Sequence, residues 1–272
     1  MVIAARPYQR LLVAGFRRHT SYRLALLAGV VTNSFFGLIR CAVLVAMAAT
    51  AAATGSSDLG GYQASELLAY AFITQALLGP VNIWSGTDLR DKVRTGDIAI
   101  DLARPLDVPT AFLAYGLGSA LASVIPRSLP TLLVGMAVVG VRLPTELTVW
   151  AVGLVSMALA MTVSYLARFL TQCAAFWITE TRGLLSLYAG VAGICSGLIM
   201  PLAVMPEWLQ LLARATPFPS LMQIPADLLS GRVTGIEAGA ALGVQLLWLV
   251  GLAVAGRLAF RAGTHRLVVA GG

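Results

Sequence analysis

Apolar runs long enough to cross a bilayer recur along this 272-residue chain, and that repetition restricts its fold more than any other feature. A hydrocarbon core of roughly 30 Å takes about 20 apolar residues in a helix. Hydrophobic residues make up 58% of the sequence and charged residues 11%, where soluble domains carry about 45 to 50% apolar residues. The expected fold class is an all-α integral membrane protein with six transmembrane helices, at Leu24 to Ala51, Glu66 to Trp84, Thr110 to Val141, Glu146 to Phe169, Gly183 to Val204 and Glu237 to Leu258. Pro126, Arg127 and Pro130 predict that the third is kinked or built from two pieces.

One stretch breaks the apolar pattern. From Asp88 to Asp107, nine of twenty residues are charged, four basic and five acidic. A patch that only met anionic lipid would not carry five carboxylates, so this island is expected to dock on another protein. Basic residues also gather at Arg6, Arg10, Arg17, Arg18 and Arg23, and again at Arg257, Arg261 and Arg266, whereas Gly55 to Ala64 has none. By the positive-inside rule the three basic regions are cytoplasmic, which puts both termini inside and requires an even number of spans.

The chain then divides into a cytoplasmic amphipathic N-terminal helix (1–23), a six-span membrane domain (24–258) and a cytoplasmic tail (259–272). In the first, Tyr8, Leu11, Leu12 and Phe16 lie among arginines at helical spacing, as in a helix at the membrane interface. Between spans 5 and 6, Pro201, Pro206, Pro217, Pro219 and Pro225 punctuate apolar pieces. A short helix after Pro206, carrying Trp208, and a second at Pro225 to Leu229 are expected to form an outer re-entrant hairpin. Gly193 and Gly197, and Gly235, Gly239 and Gly243, are four apart and suggest close helix packing. Inside the spans, Arg40 and Arg127 are the charges, with Asn33, Gln75 and Asn82 as polar company. A charge at that depth faces a cavity or a partner, or snorkels; Arg40 is placed near the outer headgroups by its distance from Leu24.

Much chemistry is missing. Lys92 is the only lysine and no glycine-rich phosphate loop precedes it, so the chain has no P-loop ATPase site of its own. His19 and His265 lie near opposite termini, and Cys41, Cys173 and Cys195 sit apart in apolar segments, which excludes metal spacing and suits packing. No acidic residue falls in mid-span, which speaks against many ion-coupled carriers.

Two stretches carry a resemblance. Arg94-Thr-Gly-Asp-Ile-Ala-Ile-Asp-Leu-Ala-Arg-Pro-Leu106, and Ser196-Gly-Leu-Ile-Met-Pro-Leu-Ala-Val-Met-Pro-Glu-Trp-Leu209 followed by Thr216-Pro-Phe218 and Pro225, resemble the permease subunits of ABC-2 type transporters, in the six-span group related to bacterial viologen and drug exporters. The resemblance implies a multi-pass protein of the bacterial cytoplasmic membrane that pairs with a second permease, identical or sister. It further implies two copies of a separate ABC ATPase subunit, which supply ATP and Mg, and no cofactor in this chain. The implied cargo is an amphipathic or hydrophobic small molecule; the alternative is an ATP-independent carrier or a membrane scaffold.

The same resemblance implies an ATPase-coupling helix between spans 2 and 3, carried by Arg94, Gly96, Asp97, Ile98, Asp101, Leu102, Arg104 and Pro105. It implies that Pro201, Pro206, Trp208, Pro217, Phe218 and Pro225 form an outer element at the exit of the path. Asn33, Arg40, Gln75, Gly193 and Gly197 remain candidates for the path or for a helix interface. Physically, Asp97 can cap a short helix that turns Ile98, Leu102 and Leu106 to one side and leaves Asp101 and Arg104 solvated. Ile98, Ile100 and Leu102 also fit a period of two, so the pattern leaves helix and strand both open.

Overall fold

The computed structural model describes residues 5–20, 23–53, 55, 58–84 and 88–267, and the extreme ends of the expected N-terminal segment and tail lie outside these. The elements of the described residues are all helices, in chain order α1 (Ala5–Thr20), α2 (Arg23–Ala53), α3 (Ala64–Val81), α4 (Leu89–Thr95), α5 (Ile98–Leu102) and α6 (Val108–Ser123). A π-helical turn at Val124–Ser128 leads into α7 (Leu129–Val134) and a second at Gly135–Val139. α8 (Leu147–Gln172), α9 (Arg182–Cys195), α10 (Glu207–Arg214), α11 (Gln223–Leu229) and α12 (Gly235–Thr264) complete the chain.

Among the described residues, five helices are long and apolar enough to cross a membrane: Leu27–Ala53, Ala64–Val81, Val108–Val139, Leu147–Phe176 and Gly235–Thr264. The remaining expected span, the fifth at Gly183 to Val204, holds a shorter apolar helix, Arg182–Cys195. α9 has 14 residues, about 21 Å at 1.5 Å per residue, too short to span the core alone. It stops because Gly197 turns the backbone to φ +80° and because the Ser196 carbonyl accepts a hydrogen bond from the Gln223 amide at 2.9 Å.

Local chemistry sets the other ends. Gln63 and Glu66 form a capping box that starts α3, and the Asp107 carboxylate caps α6 by accepting from the Thr110 amide at 3.1 Å. Pro126 falls in the first π turn, where the missing N–H and the ring displace the helical ladder. The expected break in span 3 is thus a bulge in one continuous rod.

α2 and α3 run antiparallel, since their contacts descend one helix as they climb the other. Arg127 fills the space between Gly29 and Gly79, Asn33 Nδ2 donates to the Gln75 carbonyl at 3.2 Å, and Gly37 meets Phe72. α3 is the one spanning helix among those described that is mostly buried. α1 and α6 run parallel: Tyr8 reaches the Asp107 amide, and further along both, Ser119 Oγ donates to the Gly15 carbonyl at 3.2 Å. α1 therefore lies along α6.

The three basic regions meet at one end of the bundle. Arg18 pairs with Asp88 at 3.8 Å and Arg257 with Asp107 at 3.6 Å. The opposite end holds the turn before α3 and the segment from Ser196 to Thr234.

A methyl group on Gly193, Gly239 or Gly243 would have no heavy atom within 4 Å, so no described helix of this chain packs there. Close approach occurs instead at Gly15 and Gly118, where an added Cβ would lie 2.1 Å from the Tyr115 carbonyl oxygen and 1.9 Å from that of Leu12.

Candidate functional site

At the charged end, α4 and α5 form a hairpin around Gly96, whose φ of +84° suits a residue without a side chain. The hairpin is fastened from behind. Ile98 is buried with Leu89, Tyr165, Phe169 and Phe260, Lys92 Nζ bonds Asp101 Oδ2 at 2.5 Å and sits 5.1 Å from the Phe112 ring centroid, and the Arg90 amide donates to Gln172 Oε1 at 3.2 Å. Arg94, Gly96, Asp97, Leu102, Arg104 and Pro105 are exposed, together with Ile100.

This arrangement alters three expectations. Asp97 stands at the start of α5 but its carboxylate makes no cap bond; it accepts the Thr95 hydroxyl at 2.8 Å, the nearer donor. Asp101 is held inside by Lys92 and by Arg104 at 3.4 Å and is not solvated. Leu102 does not turn inward with Ile98, because a five-residue helix ends before it completes a second turn; Leu102 and Ile100 are 40% and 58% exposed. Ile98 and Asp101 thus hold the hairpin, and the free surface is an apolar pair ringed by Arg94, Asp97 and Arg104.

At the opposite end lies a buried polar cluster that the sequence reading missed. The Tyr62 hydroxyl donates to Asp227 Oδ1 at 2.6 Å, and Gln223 Nε2 donates to Asp227 Oδ2 at 2.6 Å and to the Tyr62 oxygen at 2.7 Å. Gln223 Oε1 accepts from the Leu202 amide at 2.9 Å. The Tyr70 hydroxyl, in α3, is shared between the Gly197 carbonyl at 2.6 Å and Gln223 Oε1 at 2.8 Å. Arg232 closes the group, 3.8 Å from the Tyr62 ring centroid and 3.9 Å from Asp227 Oδ1.

Burial pushes the Asp227 carboxyl above its ordinary range, against the lowering effect of the bonds from Tyr62 and Gln223 and of Arg232. Burial, then Asp227, likewise raises the Tyr62 hydroxyl. Gly197 is required here twice, by its positive φ and because a Cβ would meet Gln223 Oε1 and the Tyr70 oxygen, each at 2.6 Å. The i, i+4 spacing of Gln223 and Asp227 within an apolar helix was the available signal.

The proline-rich residues frame this cluster. Pro201 precedes a 3₁₀ turn at Leu202–Val204, Pro206 stands at the N-cap of α10 and not within its first turn, and Pro225 is buried in α11. Pro217 leads into the 3₁₀ turn of Phe218, whose ring lies edge-on to Tyr188 at 5.6 Å. Trp208 is 67% exposed and presents the apolar face of α10 outward with Leu211 and Leu212.

Between the two ends, Asn33, Arg40 and Gln75 share the α2–α3 seam. Arg40 Nη1 donates to Thr74 Oγ1 at 2.9 Å and its Nε to the Ile199 carbonyl at 3.1 Å. Arg168, a third cation within the spans that the sequence reading left out, is buried in α8 and donates to the Ser164 carbonyl at 3.3 Å. An apolar cavity of about 440 Å³ opens beside α3, bounded among others by Ile73, Leu77, Leu129, Met136, Trp150 and Leu229.

A search of curated proteins found no match. The family described as ABC-2 family transporter protein matches residues 39–271, which include the hairpin, the seam from Arg40 onward and the polar cluster. That match takes in most of the chain, which therefore belongs to the ABC-2 transporter family as a multi-pass membrane protein.

Proposed function

We propose that the chain is the permease subunit of an ATP-driven exporter, providing half of the path for an amphipathic or hydrophobic small molecule. A separate ATPase, holding ATP and Mg, docks on the surface from Arg94 to Pro105. The observation that carries this reading is the hairpin itself: Ile100 and Leu102 are bare among Arg94, Asp97 and Arg104, while the Lys92–Asp101 pair closes the hairpin and Ile98 packs it against α8 and α12. An apolar centre in a charged rim suits a protein partner, and the family is one of transport components that generally act with an ABC ATPase.

The meeting of α1, the hairpin and the end of α12 supports a cytoplasmic position for that end. The polar cluster then closes the outer end, with α9 and the segment after it acting as the fifth crossing. A second permease, identical or sister, completes the path, and the bacterial cytoplasmic membrane is the proposed location.

The test is copurification of the full-length chain with the products of neighbouring genes, followed by ATPase assay. A nucleotide-hydrolysing partner is expected, and Ile100→Asp should release it while leaving the permease's thermal midpoint unchanged, since surface substitutions cost within about 0.5 kcal/mol. If no such protein copurifies, or if Ile100→Asp leaves both binding and transport intact, the coupling reading is wrong.

A further inference from the structure

Arg40 is a guanidinium without an anion. Its Nη1 and Nε are bonded to Thr74 and to the Ile199 carbonyl, but Nη2 is buried with no hydrogen-bond partner among the described residues. No described carboxylate lies within 4.0 Å of it. Snorkelling does not explain it. Thr74 is fully buried and lies ten residues into α3 and seven before its end, about 15 Å and 10 Å by helical rise, so the bond holds the charge at mid-helix depth. A cation there is costly unless something pairs with it.

The spanning helices do not supply the missing charge: their carboxylates are Glu66 and Glu237, each in a first turn. A second copy would bring the same spans, with carboxylates in the same first turns. The buried Asp227 is already taken by Tyr62, Gln223 and Arg232.

Further polar atoms on the same seam are also unmatched. Ser34 Oγ and Gln75 Oε1 are buried without partners, one residue from Asn33 and on the residue whose carbonyl Asn33 bonds. Beside them Phe35, Phe36, Ile39 and Val43 are bare.

Resting on the exporter reading, we propose that Arg40, held in place by Thr74, is the recognition point for an acidic headgroup. The cargo is an amphiphile whose carboxylate or phosphate pairs with Arg40 while its apolar body lies along Phe35, Phe36, Ile39 and Val43.

The full-length chain in phosphatidylcholine nanodiscs is titrated with 11-(dansylamino)undecanoic acid and with its methyl ester, following dansyl fluorescence. The acid should bind at least tenfold tighter; Arg40→Gln should abolish that preference, and Arg40→Lys should keep part of it. Equal binding of acid and ester to the native chain, or a preference that survives Arg40→Gln, overturns the proposal. Thr74→Val keeps the charge but removes its anchor, and a reduced preference there carries the test if Arg40→Gln does not fold. In phosphatidylglycerol nanodiscs, unchanged acid binding supports a cargo site, whereas suppression of it assigns the site to bilayer lipid and overturns the cargo claim. Binding needs no ATP, so an intact acid preference without ATP-driven transport would remove the exporter reading alone.

Discussion

Replacing Gly118 by Ala should detach α1 from α6. The new Cβ would stand 1.9 Å from the Leu12 carbonyl oxygen, a backbone atom that no rotamer change can move, so the helices must part by about 1.5 Å to reach ordinary contact. Overpacking of this kind costs about 1 to 3 kcal/mol. Parting also stretches the Ser119 bond to the Gly15 carbonyl, worth about 1 kcal/mol. Alanine's better helix propensity returns about 1 kcal/mol, which leaves a net loss of about 2 kcal/mol. Limited trypsin digestion of the detergent-solubilised chain at Arg17 and Arg18 reads the population in which α1 is open, when reclosing outpaces cleavage. At 1.4 kcal/mol per decade the cut should quicken by about 30-fold. Gly193→Ala, where the added methyl meets nothing within 4 Å, should leave the rate as it is. If Gly118→Ala is cleaved at the native rate, α1 does not dock through this contact.

The other predictions concern the two ends. Tyr62→Phe and Asp227→Asn should each lower thermal stability by about 1 to 3 kcal/mol through a lost bond in a buried network, and the double variant should lose less than their sum, with a coupling of about 0.5 to 3 kcal/mol. Because the Asp227 carboxyl titrates above its ordinary 3.8 in the folded chain, its contribution to stability is full below that value and is lost as pH rises through the raised one. Asp227→Asn should remove that fall with rising pH from a plot of thermal midpoint against pH. At the charged end, Asp101→Asn strips Lys92 and Arg104 of their shared anion. It should weaken ATPase stimulation by loosening the hairpin, and hydrogen exchange in α5 should rise with it; unchanged exchange would refute the clamp.

What was legible in the sequence was what depends on pattern. The charged island and the common end of the basic regions follow from composition and from the sign of the charges, which act at any geometry. The break near Pro126 follows from the missing N–H. The inward turn of Ile98 was legible, but the exposure of Leu102 depends on how far a five-residue helix winds before Ala103. The capture of Asp101 by Lys92 depends on a hairpin that folds nine residues back on itself. The cluster of Tyr62, Tyr70, Gln223, Asp227 and Arg232 joins residues more than 150 positions apart, and no local periodicity encodes such a meeting.

The shortness of α9 follows from the same cause. Hydropathy reads Gly183 to Val204 as a span because every residue in it suits lipid, yet hydropathy does not count backbone hydrogen bonds. A helix satisfies its own, and at membrane depth anything else must find partners in protein. Here the partners exist: Gln223 takes the Ser196 carbonyl through its amide and the Leu202 amide through its side chain, and Tyr70 takes the Gly197 carbonyl. With the break so satisfied, the chain leaves the helical path after Cys195 at modest cost and lays Ser196 to Val204 against α3. That departure is what brings the Ile199 carbonyl to Arg40. A straight fifth helix would carry its carbonyls in its own ladder and offer none to the guanidinium, so the polar cluster at one end of α3 and the charge at its middle depend on a single interruption.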